Sequence, residues 1–313
     1  MHIVYFVVPC FNEEEALSET NRRLLIKLGQ LVDSGRADEK SRILYVDDGS
    51  RDRTWDIIMG FHSECASVCG LKLAHNAGHQ NALLAGLMTA REYADCAISL
   101  DADLQDDIEV IDEFIDQYNR GCEVVYGVRN KRETDTFFKR VTAQGFYKVM
   151  KHLGVDIIYN HADYRLMGKS ALDALRDYKE VNLFLRGIVP LIGYKSGIVY
   201  YNRSERQAGE SKYPFKKMIS FALDGITSFS VKPLRIISNL GILISFLSII
   251  GILYALISYL AGVAVPGWTA IVASIWLLGG IQLLCIGVVG GYIGKIYSEV
   301  KSRPRYNIEE FTD

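Results

Sequence analysis

Apolar and polar positions along the first 130 residues fall into repeating blocks, a short apolar run followed by a stretch of helical period. The run at 2–8 reads as a strand ending at Pro9-Cys10-Phe11-Asn12. Asn12 is then placed to N-cap a helix with Glu13, Glu14 and Glu15 in its first turn, and Leu17, Leu24, Leu28 and Leu31 mark the apolar face of that helix. A second strand at 43–46 runs into Asp47-Asp48-Gly49-Ser50 and a helix from about residue 54. Strands at 71–74, 96–100 and 123–127 follow, with helices at 80–93 and 108–118 between them. This alternation predicts an α/β fold, a mostly parallel sheet with helices on both faces. Ligands of such sheets bind beyond the carboxyl ends of the strands. Asn12, Asp47, Asp48, His75, Asn76, Asp101, Asp103 and Arg129 all fall there.

Beyond residue 130 the pattern changes. A charged stretch leads to a helical period at 137–153, with Lys139 and Arg140 near its start. Strands are expected at 160–167, carrying Asp163 and Arg165, and at 198–201. A polar, basic loop at 202–213 precedes an amphipathic stretch with Phe215, Met218, Ile219, Ala222, Leu223 and Ile226 on its apolar side, which suits a membrane surface. Ile236 to Gly294 then contains no Asp, Glu, Lys or Arg, enough for two bilayer spans at about 236–260 and 268–293. Lys232, Arg235, Lys295, Lys301, Arg303 and Arg305 flank them, whereas the loop between has no basic residue. The expectation is a multi-pass protein of the cytoplasmic membrane with both termini cytoplasmic. Four parts result: a cytoplasmic α/β domain at 1–213, an interfacial segment at 214–233, a transmembrane hairpin at 234–294 and a cytoplasmic tail at 295–313. Gly287-x-x-x-Gly291 and Gly290-x-x-x-Gly294 permit close helix approach, by the first span or by a second copy in a homo-oligomer.

Composition narrows the function. A net charge of −2 argues against a nucleic-acid partner held by bulk electrostatics. Six cysteines without a Cys-x-x-Cys pair suit reduced thiols in the cytosol. The chain enters a strand at once, so no signal peptide is expected. No Gly-x-Gly-x-x-Gly follows the first strand and no P-loop motif occurs, which disfavours dinucleotide dehydrogenases and P-loop NTPases. His75 and His79 stand four apart, but with Gly78 between them and no evident third ligand they read as a helix start or donor contact rather than a zinc site.

The chemistry concentrates in Asp101-Ala102-Asp103-Leu104-Gln105. Two carboxylates one residue apart at a strand end, with Gln105 as a third oxygen, suit Mg²⁺ or Mn²⁺ with positions left for phosphate oxygens. An acidic, solvated helix-capping loop would look the same in isolation.

In order along the chain, Pro9-Cys10-Phe11-Asn12-Glu13, Val46-Asp47-Asp48-Gly49-Ser50, Asp101-Ala102-Asp103-Leu104-Gln105-Asp106 and Gly127-Val128-Arg129, closed by a membrane hairpin, resemble the family 2 glycosyltransferases that charge polyprenyl phosphates. Bacterial bactoprenol glycosyltransferases are the closer type and dolichol-phosphate mannose synthase the more distant. The resemblance implies a GT-A fold, a nucleotide-sugar donor and a lipid phosphate acceptor. It implies that Pro9, Asn12, Glu13, Asp47 and Asp48 line the donor pocket with Asn76 and Ala102, and that Asp101, Asp103 and Gln105 hold the metal and the pyrophosphate. Arg129 and Arg140 match basic positions facing phosphates. Arg206, Ser211 and Lys212 match an Arg-x-x-Gly-Glu-Ser-Lys loop, where Arg203 adds a further cation for the acceptor phosphate. His75-Asn76 stands where Arg-Asn is frequent, and Ala162-Asp163-Tyr164-Arg165 replaces a Ser-Gly-Phe-Arg-like stretch.

A phosphate monoester is largely ionised near neutrality, with a second pKa of ~6, so the acceptor needs positioning more than a strong base. Asp163 is the candidate helper, or the partner of Arg165 in an ion pair. The expected reaction is a single, inverting transfer of a hexose, from UDP-glucose or UDP-N-acetylglucosamine, to a lipid such as undecaprenyl phosphate. The absence of Gln-x-x-Arg-Trp disfavours a processive synthase; a non-catalytic lipid-phosphate scaffold is the other alternative.

Overall fold

The computed structural model describes residues 1–130, 161–181, 183–202 and 267–313, with scattered helical residues between 234 and 261. The chain divides into two compact units, one comprising Met1–Tyr147, Asp156–Pro214 and Ser302–Asp313, the other Lys148–Val155 and Phe215–Lys301.

The first unit is built on an eight-stranded sheet. In chain order its strands are β1 (Val4–Cys10), β2 (Arg42–Asp47), β3 (Val68–Leu73), β4 (Cys96–Ser99), β5 (Val124–Arg129), β6 (His161–Gly168), β7 (Ser196–Tyr201) and β8 (Ile308–Thr312), in the spatial order β7-β5-β6-β4-β1-β2-β3-β8. The helices of this unit are α1 (Leu17–Asp33), α2 (Thr54–Glu64), α3 (His79–Tyr93), α4 (Ile111–Asn119), α5 (Lys169–Arg176) and α6 (Leu185–Leu191). Every residue of β1 is buried, as expected of a strand covered on both faces. Leu17, Leu24, Leu28 and Leu31 of α1 are buried against it, the face their spacing marked.

The sheet is mixed, with four of its seven strand pairings among the described residues parallel. β1–β2, β1–β4, β2–β3 and β5–β7 pair in parallel, but β6 runs antiparallel between β4 and β5, and β8 antiparallel along β3. Strand direction leaves no mark in the apolar pattern of a buried strand. β8 lies in the segment expected to form only a tail. Thr312 Oγ1 accepts from Gly70 N (3.0 Å), Asn307 O accepts from Ala74 N (2.9 Å) and Lys72 pairs with Glu309 (3.0 Å), so the chain end covers an edge that β3 would otherwise expose.

Two local expectations also change. Asn12 does not cap α1, which begins five residues later. Asn12 adopts φ +54° and spends its side-chain oxygen on the Arg51 N–H (2.9 Å). The helix expected at 108–118 opens with a 3-10 turn, Ile108–Val110, capped where Asp107 Oδ1 accepts from Glu109 N (2.9 Å). Lys27, buried on α1, fixes this turn through Glu109 (2.9 Å) and Asp112 (2.6 Å).

In the second unit, helix α7 (Trp268–Lys301) contains the expected span 268–293 and continues past it. Among the described residues, its Leu277–Lys301 portion is the one stretch long and apolar enough to cross a membrane, with a mean hydropathy of 1.8. The described residues between 234 and 260 are helical; the hairpin as a whole, the amphipathic segment, the basic loop and the 137–153 helix fall outside what is described.

Candidate active site

The carboxyl ends of β1 and β2 meet in register, Cys10 beside Asp47. Where the two strands end, backbone and short side chains tie three loops together. Ser50 N donates to the Asp47 carboxylate (3.3 Å), Asn12 N donates to Ser50 Oγ (3.0 Å), and Glu13 N donates to Thr54 Oγ1 (3.0 Å). The Asp48 carboxylate accepts from Ala77 N (2.7 Å) and Gly78 N (3.0 Å), which anchors the loop after β3. Gly49 has φ +65°, and a Cβ there would lie 2.7 Å from the backbone of His75 and Asn76, so only glycine permits this approach. Burial raises both the Asp47 and Asp48 carboxyls, against the pull of those N–H donors. Pro9, Asn12, Glu13, Asp47, Asp48 and Asn76 thus gather on one rim, with Asn76 exposed.

The Asp101 loop leaves β4 beside them. Leu100 N donates to Val7 O (3.2 Å), and the carbonyl of buried Ala102 accepts from Thr20 Oγ1 (2.7 Å), fixing the loop to β1 and α1. Leu104 at φ +52° is a left-handed non-glycine residue, a strain of ~1–3 kcal/mol that persists only where the surroundings over-determine it. Loss of solvation pushes the Asp101 carboxyl up to about 6; His79 opposes this, and the negative neighbours Asp106, Asp163 and Asp103 add to it. Among the described residues the side-chain oxygens Gln105 Oε1 and Asp106 Oδ2 are buried without a hydrogen-bond partner. Excess negative charge and an orphaned oxygen acceptor fit a hard cation held by Asp101, Asp103 and Gln105. No group of three His, Cys, Asp or Glu side chains forms a closed cage among the described residues, so such an ion would rely on ligand oxygens as well.

The antiparallel register of β4 and β6 pairs Ser99 with Arg165, and continuing both strands by two residues sets Asp101 opposite Asp163. His79, the first residue of α3, lies between them, its Nε2 3.7 Å from Asp101 Oδ1 and from Asp163 Oδ2. Asp163 also receives Arg165 Nη2 (2.6 Å), Arg186 Nη2 (3.0 Å) and Arg186 Nε (3.2 Å). Burial works against its charge, but Arg186, His79 and Arg165 together hold the Asp163 carboxyl well below the usual range. Arg186 is brought there by α6, whose first amide, Leu185 N, donates to Gln80 Oε1 (2.9 Å). Desolvation opposes the His79 imidazolium, yet Asp163 and Asp101 outweigh it and raise its pKa.

Arg129 ends β5 and faces a protein carboxylate. Its Nη2 donates to Asp106 Oδ1 (3.3 Å) and its Nε to Tyr201 Oη (3.1 Å), while Tyr201 donates to the same Asp106 oxygen (2.5 Å). Arg140, Arg203, Arg206, Ser211 and Lys212 lie outside the described residues. Thr20, Gln80, Arg186 and Tyr201 were not legible as site residues. They sit on distant segments without a motif, and only the His75/His79 spacing drew attention to this part of the rim.

A sequence model of glycosyl transferase family 2 matches residues 5–176. The uncharacterized glycosyltransferase YkoT of Bacillus subtilis is 55% identical over 98% of this chain and 91% of its own length. The prophage bactoprenol glucosyl transferase homolog of Escherichia coli is 39% identical over 98% of both chains. Glucosyl-3-phosphoglycerate synthase of Mycobacterium tuberculosis, crystallised with Mn²⁺, UDP-glucose and phosphoglyceric acid, aligns with a TM-score of 0.45 and 16% identity over 72% of this chain and 78% of that one.

Proposed function

This chain belongs to glycosyl transferase family 2 and is a GT-A glycosyltransferase, and on that premise we propose that it transfers one hexose from a nucleotide sugar to a polyprenyl phosphate. The observation that carries the reading is the Asp101–Asp103 pair standing beside the Asp47–Asp48 rim in a chain that matches a bactoprenol glucosyl transferase homolog from end to end. UDP-glucose is the favoured donor, with UDP-N-acetylglucosamine next.

The site supports the following division of labour. Asp47, Asp48, Asn12 and Glu13 shape the nucleoside pocket. Asp101, Asp103 and Gln105 would hold Mg²⁺ or Mn²⁺, which would supply Lewis-acid stabilisation of the charge on the departing diphosphate. Asp163 stays ionised between Arg165 and Arg186, so it does not donate a proton to the leaving group, and its lowered basicity suits it to orienting His79 and Arg186. A polyprenyl phosphate brings its own anionic nucleophile. The basic residues Arg203, Arg206 and Lys212 then orient it by bidentate and point-charge contacts.

The lipid acceptor requires a membrane, and α7 supports one. Its apolar side chains are exposed, with Leu277, Ile286 and Ile293 each at 60% or more, which distinguishes it from the core helix of a soluble domain. At ~1.5 Å per residue its 34 residues extend about 50 Å, more than the ~30 Å of hydrocarbon, which leaves the Lys295–Lys301 end for the headgroups. That β7 and β8 belong to one sheet supports an even number of crossings for any membrane-spanning chain between them. If α7 spans, a second span precedes it, in keeping with residues 236–260.

A panel of radiolabelled nucleotide sugars offered to the purified protein with undecaprenyl phosphate tests the reading. Metal-dependent appearance of label in the lipid phase is expected. No lipid product from any donor would overturn it.

A further inference from the structure

The Asp101 loop, proposed to carry the donor chemistry, is anchored from outside as well as by its own hydrogen bonds. Within it Gln105 N reaches Asp103 Oδ1 at 3.2 Å, and Leu104 is left-handed. External anchors over-determine it on two sides: Thr20 at the Ala102 carbonyl, and a second group around Asp106 and Asp107. That second group comes from the far half of the sheet. β5 and β7 pair in parallel with Arg129 directly beside Tyr201, and Asn130 N donates to Tyr201 O (2.9 Å), so the register alone sets the two side chains next to one another. Tyr201 is packed edge-on against the Tyr164 ring, with centroids 5.3 Å apart, and Tyr164 Oη in turn donates to Asp107 O (2.9 Å).

We propose that Tyr201 and Arg129 are positioning residues for metal–diphosphate binding: by converging on one oxygen of Asp106, they fix the turn that presents Asp101, Asp103 and Gln105. The geometry argues against the simpler role of binding a substrate phosphate. Arg129 aims two of its nitrogens inward, Nη2 at Asp106 and Nε at Tyr201, and the Tyr201 hydroxyl is consumed by the same carboxylate. The residue adjoining Asp106 is Gln105, whose side-chain oxygen lacks a partner among the described residues and belongs to the proposed metal set. A change at Tyr201 is therefore transmitted to the cation site through one peptide unit. Removing the hydroxyl leaves the ring and its packing in place and releases one constraint on the turn.

This inference rests on the assignment of Asp101 and Asp103 to a cation, and the test separates the two. Binding of UDP to the purified full chain is measured by calorimetry with and without Mn²⁺, alongside thermal denaturation and steady-state kinetics. For Tyr201→Phe the expected result is about tenfold weaker UDP binding in Mn²⁺, unchanged weak binding without metal, a raised donor KM with kcat within a few-fold, and an unaltered Tm. Arg129→Lys keeps the charge but loses the two-pronged contact, and a smaller loss of the same kind is expected. Wild-type UDP affinity in Mn²⁺ for Tyr201→Phe, while Asp103→Asn loses it, would overturn the positioning role and leave the cation assignment standing. Normal Mn²⁺-dependent binding in Asp103→Asn, or none in the unmutated protein, would overturn both. Should Tyr201→Phe prove unstable, Arg129→Lys decides, and a fall in kcat with donor affinity unchanged would count against the proposal.

Discussion

Asp101 and Asp163, set on either side of the His79 imidazole, have their pKa values moved in opposite directions by their neighbours. Desolvation and carboxylates surround Asp101 and push it up to about 6, whereas Arg186 and Arg165 keep Asp163 charged. The consequences of mutation differ accordingly. Asp103→Asn removes a carboxylate from the proposed cation site; its transfer rate is expected to fall by ~10²-fold or more, with the fold unchanged by circular dichroism. Asp163→Asn should act on stability as well, because it strands the charge of Arg165, which is 1% exposed, at a cost of about 3 kcal/mol. The pH dependence has a definite sign. A carboxyl with a depressed pKa contributes stability above the unfolded value of ~3.9 and loses it as pH falls through the folded value. Denaturation curves of the two proteins should therefore be well separated at pH 7 and begin to converge only as pH falls below about 4.

Among the elements, α3 and β8 govern how the rim is held. α3 brings His79 and Gln80 to the site at its first turn and presses on the sheet through Gly86. A Cβ at Gly86 would lie 2.7 Å from Val46 Cγ2 and closer still to Val7 Cγ1. Alanine ordinarily gains up to about 1 kcal/mol over glycine inside a helix, but overpacking between two buried strands costs ~1–3 kcal/mol. Gly86→Ala is expected to lower Tm and to weaken donor binding through the displaced helix start; a rise in Tm would show that the helix can shift freely. β8 acts at the other end of the same half-sheet. It seals β3 immediately before the loop that Asp48 clamps, through Asn307 O and Ala74 N, so the chain end supports the rim and is more than an appendage.

At the scale of the whole molecule, one chain carries an eight-stranded sheet and a long apolar helix, and the membrane reading proposed for α7 constrains both. β7 precedes the uncharged region and β8 follows it, and both belong to one sheet, so under that reading the sheet-forming segments lie on one side. In a background without accessible native cysteines, a cysteine at Gly262 is expected to be labelled from outside the cell, and one at exposed Glu310 only after permeabilisation. Labelling of Glu310→Cys from outside would place the sheet on the outer face, away from a cytosolic nucleotide sugar.

By itself the sequence determined the strand–helix alternation, the rim that carries Asp47, Asp48, Asp101 and Asp103, and the long uncharged stretch, because each of these is local. Burial on both faces writes a continuous apolar run, a helix face repeats every three or four residues, and carboxylates at strand ends stand beside the strand that places them. The tertiary structure alone decided the antiparallel direction of β6, the return of β8 to β3, and the partners of Asp163 and Asp106. Those depend on which strands become neighbours and in which register: Arg129 and Tyr201 are 72 residues apart in the chain, yet one row of backbone hydrogen bonds makes them adjacent. Asn12 shows the same limit within a single loop. Its composition favours a helix cap, and the N–H of Arg51, supplied by another strand's loop, outcompetes that local preference.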